Sequence, residues 1–266
     1  MDPITIASLL ALGAIVGLLV GLTSVGSGAL MTPILLLDFT NVVGKIFVVG
    51  TATTQGTVSK MIVSLRNYRK KKLNNDYIFI ISLAGIPTAA IGAFYSSTLI
   101  SWNLFPPILA AVLALTGILI IGMLRFEKIN LGKDPKVTSE LRVKGIVIGL
   151  VVGLIAGLTG VSTGSILVAS LILILKFPTK TAVNIAIFEG GIILLAATLA
   201  QLYLGHVNFL VTGLLLVGGV PAMLVGNNFK DRVNQKKLGY LVALVIIFES
   251  ARTLSSFFFG KSFFFF

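Results

Sequence analysis

Hydroxyl side chains interleaved with glycine occur twice in this chain, as Gly21-Leu22-Thr23-Ser24-Val25-Gly26-Ser27-Gly28 and as Gly157-Leu158-Thr159-Gly160-Val161-Ser162-Thr163-Gly164, with Ser165 following the second copy. Hydroxyls donate hydrogen bonds without carrying charge, and glycine lets a backbone approach a ligand closely and present its amides. The chemistry such a set can do is anion binding. Thr23, Ser24, Gly26, Ser27 and Gly28 form one candidate site, and Thr159, Ser162, Thr163, Gly164 and Ser165 the other. With no cysteine and one histidine, the chain offers no thiol nucleophile, no disulfide and no His-x-x-x-His zinc pattern. We therefore expect no catalytic residue, no metal and no cofactor.

The elements that must position these residues are membrane helices. Hydrophobic residues make up 56% of the 266 positions and charged residues 11%, with a mean hydropathy of +1.03; a soluble domain of this length has no core large enough for so much apolar surface. Each copy of the motif follows an apolar segment and precedes a shorter one, Ala29 to Leu37 in the first half and Ile166 to Leu175 in the second. Such pieces cover about half of a ~30 Å hydrocarbon core, so each reads as the return limb of a broken or re-entrant pair. A break at membrane depth is tolerated only where protein or a water-filled cavity covers the freed amides. The short helices aim those amides and the positive end of the helix dipole at the middle of the bilayer. Paired breaks in corresponding places are the best sequence pointer to a binding site in this class of fold.

The two motifs are identical at five of eight positions at an offset of 136, and the repetition runs through the chain. Gly13 and Gly17 match Gly149 and Gly153 at the same offset, and Gly85, Pro87 and Gly92 match Gly219, Pro221 and Gly226 at 134. Long apolar runs at Val42 to Leu65, Tyr77 to Tyr95 and Leu104 to Leu124 follow the first break; Thr181 to Leu204, Phe209 to Phe229 and Leu238 to about Phe258 follow the second. The expected fold is an all-α integral membrane protein of two repeats, 1–124 and 143–266, joined by a linker at 125–142, each repeat a broken helix pair followed by three transmembrane helices. Arg66 to Lys72, Arg125 to Lys144, Lys176 to Lys180 and Lys230 to Lys237 together hold 17 of the 21 basic residues. Placing all four on the cytoplasmic side satisfies the positive-inside rule, sets both termini outside and gives the repeats inverted topology. The net charge of +12 is thereby explained by a lipid bilayer rather than by nucleic acid.

Further polar positions sit on the long segments. Thr51 and Gln55 are four apart and share a helix face, as do Thr53, Thr57 and Lys60, and the stripe suggests a lined pathway; Lys60 near the basic end also fits a snorkelling side chain. Asn184 aligns with Val48 and gives the second half a polar group of its own. Glu189 stands in the middle of an apolar run, where a carboxylate costs about 3 kcal/mol unless it faces a cavity, pairs with a cation or is protonated; it is the candidate proton-coupling or gating residue. Glu249 has Arg252 three residues on as a local partner. Trp102 and Tyr95 read as interfacial anchors and His206 as a loop residue. For each hydroxyl taken singly, the competing reading is close helix packing with the side chain satisfying its own backbone.

The first glycine-rich break, its continuation Ala29-Leu30-Met31-Thr32-Pro33, the Val48-Val49-Gly50-Thr51 stretch and the full-length duplication resemble the sulfite exporter TauE/SafE family. The resemblance implies a prokaryotic membrane permease of about eight spans in two halves, acting on sulfite, sulfoacetate and related sulfur-containing anions. The second copy departs from the first in having Ser162 and Thr163 where Gly26 and Ser27 stand, and Ala169 in place of Pro33. The expected activity is secondary transport of a small anion, with Glu189 as a proton-coupling or gating group. An anion channel or a non-transporting scaffold is the alternative, and an enzyme is not expected.

Overall fold

The computed structural model describes every residue except 24–25, 69–74, 127–134, 136–137, 162–163, 230–231 and 261–266. Among the described residues there is no strand. The helices in chain order are α1 (Pro3–Thr23), α2 (Gly28–Leu37), α3 (Thr40–Val43), α4 (Val48–Tyr68), α5 (Asn75–Ser101), α6 (Phe105–Phe126), α7 (Ser139–Thr159), α8 (Gly164–Leu173), α9 (Thr179–Tyr203), α10 (Phe209–Phe229) and α11 (Gln235–Phe259). Seven of them, α1, α5, α6, α7, α9, α10 and α11, are long and apolar enough to cross a membrane. Helix α4 matches them in length, but its threonines, Gln55 and Lys60 make it more polar, and it lies against α9, α10 and α2.

Most expected segments match a helix to within a few residues, and the differences have local causes. The run from Val42 does not enter α4 directly: Val42 and Val43 belong to α3, Gly44 takes φ 82°, and a 3₁₀ turn at Lys45–Phe47 intervenes. Helix α7 starts at Ser139, four residues before the apolar run at Val143, because Thr138 caps it, its hydroxyl accepting from the Leu141 amide at 3.3 Å. Asn234 does the same for α11 through the Lys237 amide at 3.1 Å. Helix α5 runs on to Ser101, through what reads in sequence as the start of an uncharged loop.

Packing follows the duplicated glycines. Gly13, Gly17 and Gly21 lie on the backbone of α10 at Leu215, Gly219 and Met223, so α1 and α10 advance together, side by side. Gly149, Gly153 and Gly157 lie in the same way on α5 at Ile81, Gly85 and Ala89. Small residues at four-residue spacing permit this approach, which in lipid supplies the packing that hydrophobic contrast cannot. Helix α6 pairs with α11 and α4 with α9. Exchanging the halves maps α6 with α11 and α4 with α9 onto themselves, and converts α1 with α10 into α7 with α5 and α2 with α11 into α8 with α6, all of which are present. Two cores result. One joins α1, α2, α4 and α6 to α10 and α11; the other joins α5 to α7, α8 and α9. Each core is built from both halves.

Candidate functional site between the two helix breaks

Both breaks rest on α4. In the first, α1 ends at Thr23 and α2 begins at Gly28, with Gly26, Ser27 and Gly28 all buried. Ser27 is the N-cap residue of α2 but has helical dihedrals, and its hydroxyl makes no capping bond. That hydroxyl faces α4, 3.1 Å from where a Cβ on Gly56 would stand. In the second break, Gly160 reverses the chain after Thr159 with φ 68°, a left-handed conformation that a side chain would strain. Gly160 is seated beside Thr32 of α2 and the Val49 carbonyl of α4, 3.2 and 3.3 Å from an ideal Cβ.

A cavity of about 150 Å³ connects the two breaks. Thr23, at the end of α1, forms part of its wall together with Gly164 and Ser165, the first two residues of α8. Lys60 of α4 also lines it, and Ile120 and Met123 of α6 and Ile187 of α9 make much of the rest apolar. Lys60 is only 6% exposed, its side chain enclosed among helices. Ser165 is 5% exposed, and its Oγ has no hydrogen-bond partner among the described residues.

The hydroxyls differ in what they have to give. Thr23 donates to the Leu19 carbonyl at 2.6 Å and Thr159 to that of Ile155 at 2.7 Å. Each hydroxyl proton is committed to its own helix, which is the backbone-satisfying role; Thr159 also accepts from the Val161 amide at 3.2 Å. Thr51, fully buried, accepts from the Asn208 amide at 3.2 Å and so fastens α4 to the turn before α10. Gln55, also fully buried, donates through Nε2 to Ser59 at 3.3 Å, while its Oε1 has no partner among the described residues. Thr57 meets Thr198 of α9 at 2.8 Å. Thr51 and Gln55 thus face α10, and Thr57 and Lys60 face α9, as their spacing requires.

Glu189 is fully buried, and its two carboxylate oxygens accept from the Ser82 hydroxyl of α5 at 2.9 and 3.0 Å. It points away from the cavity, to which α9 presents Val183, Ala186 and Ile187 instead. Glu249 and Arg252 do not form a merely local pair. Arg252 donates Nη1 to Asp38 Oδ2 at 2.9 Å and Nη2 to Asp38 Oδ1, and lies 3.5 Å from Glu249, so the end of α2 is tied to α11.

The family model described as Sulfite exporter TauE/SafE matches residues 9–253, from α1 into α11 and across both breaks. The chain belongs to this family. It is 27% identical over 262 residues to a protein of Bacillus subtilis (strain 168) described as "Probable membrane transporter protein YjnA", covering 93% of this chain and 99% of that one. No solved structure matches. This TauE/SafE chain is accordingly a multi-pass membrane transporter.

Of the residues expected at the site in this TauE/SafE protein, the fold brings Thr23, Gly164 and Ser165 to one cavity and packs Gly26, Ser27, Gly28 and Thr159 around the breaks. Thr51 and Gln55 lie on the α10 side of α4, and Asn184 is half-buried on α9, outside the cavity lining. Ser24, Ser162 and Thr163 lie outside the described residues. The sequence reading set Lys60 on a stripe that suggests a lined pathway, kept snorkelling beside it and did not count it among the site residues, although it lines the cavity. The signal was present, since a charge well inside a spanning segment marks a pathway by the same rule that singled out Glu189. The sequence reading missed Thr32, a fully buried hydroxyl beside Gly160 with no partner among the described residues.

Proposed function

We propose that this transporter carries small sulfur-containing anions, sulfite and short organosulfonates among them, and binds them between the two helix breaks. The observation that supports this reading is the cavity whose wall includes both the end of the helix before the first break and the start of the helix after the second. Helix amides and dipoles of opposed broken helices favour an anion there without burying a full countercharge. Each break belongs to a different repeat, so a relative movement of the repeats can open the cavity to one side or the other. The inverted arrangement of the repeats is part of the proposal. It is supported by the parallel register of α1 with α10 and of α5 with α7, which, with helices alternating in direction along the chain, starts the halves at opposite ends. With the basic loops cytoplasmic, both termini face outside.

Glu189 is retained as a proton-coupling candidate because a fully buried carboxylate on a serine hydroxyl is a costly arrangement for packing alone. The test of the transport reading is counterflow of labelled sulfite, sulfoacetate, thiosulfate and sulfate into proteoliposomes. Saturable exchange of at least one sulfur anion is expected. Flux that rises linearly with concentration favours the channel reading, and no flux for any of them favours a scaffold.

A further inference from the structure

We propose that the anion is held by one break rather than by both: it docks against Lys60, the Ser165 hydroxyl and the N-terminal amides of α8. This inference rests on the transport reading above and adds to it which side chains carry the affinity. Three features converge on the cavity. Lys60 brings a buried amine to the wall, and an ionisable side chain at membrane depth is kept at a cost that marks ligand and ion pathways. Ser165 brings a buried hydroxyl that no described residue engages. Gly164 and Ser165 open a ten-residue helix whose first amides have no intrahelical acceptor. The apolar remainder, Ile120, Met123 and Ile187 included, lowers the local dielectric and strengthens each of these attractions.

The first break has no such set. At the repeat offset of 136, Lys60 corresponds to Ala196 and Ser165 to Ala29. The duplicated backbone is therefore preserved while the polar groups on the cavity wall have become one-sided: the second break supplies the docking surface, and the first closes the cavity with Thr23, whose hydroxyl proton is already used. Size follows from the volume. About 150 Å³ equals a cavity that takes benzene, which is room enough for sulfite or a two-carbon sulfonate.

The experiment uses the full chain in lipid nanodiscs, with equilibrium binding of labelled sulfite and sulfoacetate measured beside counterflow. Lys60→Gln is expected to weaken binding of both anions by about tenfold or more, the scale of one lost charged hydrogen bond. Lys60→Arg, which keeps the charge, should stay within about threefold of the native chain, and Ser165→Ala should weaken binding by about threefold to tenfold. Native affinity in a folded Lys60→Gln chain overturns the proposal. Should that variant fail to fold, native affinity in Ser165→Ala overturns it instead. Saturable exchange by the native chain together with unchanged variants sinks only the one-sided site, whereas no exchange of any sulfur anion by the native chain sinks the transport reading with it.

Discussion

Replacing Gly17 with alanine tests whether the repeated glycines set the distance between helices. An ideal Cβ on Gly17 would stand 2.8 Å from Gly219 Cα and 2.9 Å from its carbonyl carbon, and would run into the carbonyl oxygen. Carbon atoms pack at about 3.5–4.0 Å, so α1 must withdraw from α10 by about 1 Å. No rotamer change relieves the clash, because the obstructing atoms are backbone. Overpacking costs typically ~1–3 kcal/mol, and a rigid backbone contact belongs at the upper end, against a gain of up to ~1 kcal/mol in helix propensity. Gly153→Ala, 2.9 Å from Gly85 Cα on α5, should behave alike. Gly213→Ala is the control: nothing lies within 4 Å of its Cβ, so it should be neutral or slightly stabilising. Unfolding of the purified protein in mixed micelles with increasing SDS should separate Gly17→Ala and Gly153→Ala from Gly213→Ala by about 2 kcal/mol. Equal stability of all three would refute the helix spacing described above.

The breaks themselves are tested by Gly28→Val and Gly164→Val, which add a branched side chain where the backbone is buried between helices; anion counterflow should fall at least about tenfold with the protein still inserted, and native substrate affinity in both would remove the breaks from the site. Glu189→Gln keeps shape and one hydrogen bond to Ser82, so coupling predicts that proton-driven flux is lost while exchange survives; an unchanged pH dependence of flux leaves a structural role alone. For orientation, a cysteine at exposed Lys237 should resist impermeant thiol reagents in intact cells while one at exposed Ser101 is labelled. The reverse pattern would turn the topology over.

The class of fold, the duplication and the place of both breaks were legible in the sequence. Each is a local property: apolar length against bilayer thickness, glycine and hydroxyl residues where an apolar run stops, and a pattern that returns at a fixed offset. The glycine stripes were equally visible, and in lipid small residues mark the face of a helix that meets its neighbour, so Gly13, Gly17 and Gly21 already indicated one interface of α1. What the sequence left open was rotation and partnership. A helix surrounded by lipid on one side and protein on the other is apolar on both, so no hydrophobic contrast tells which way Lys60 or Glu189 turns. Only the tertiary structure placed Lys60 at the cavity with Ser165 and turned Glu189 two residues past Ile187 toward Ser82. It alone joined Arg252 to Asp38 across 214 positions. It also decided which hydroxyls are spent, since Thr23 and Ser165 are alike in type but only Thr23 reaches a carbonyl on its own helix one turn back. A residue's type gives its capacity for hydrogen bonding; how much of that capacity remains for a ligand depends on the neighbours that folding brings to it.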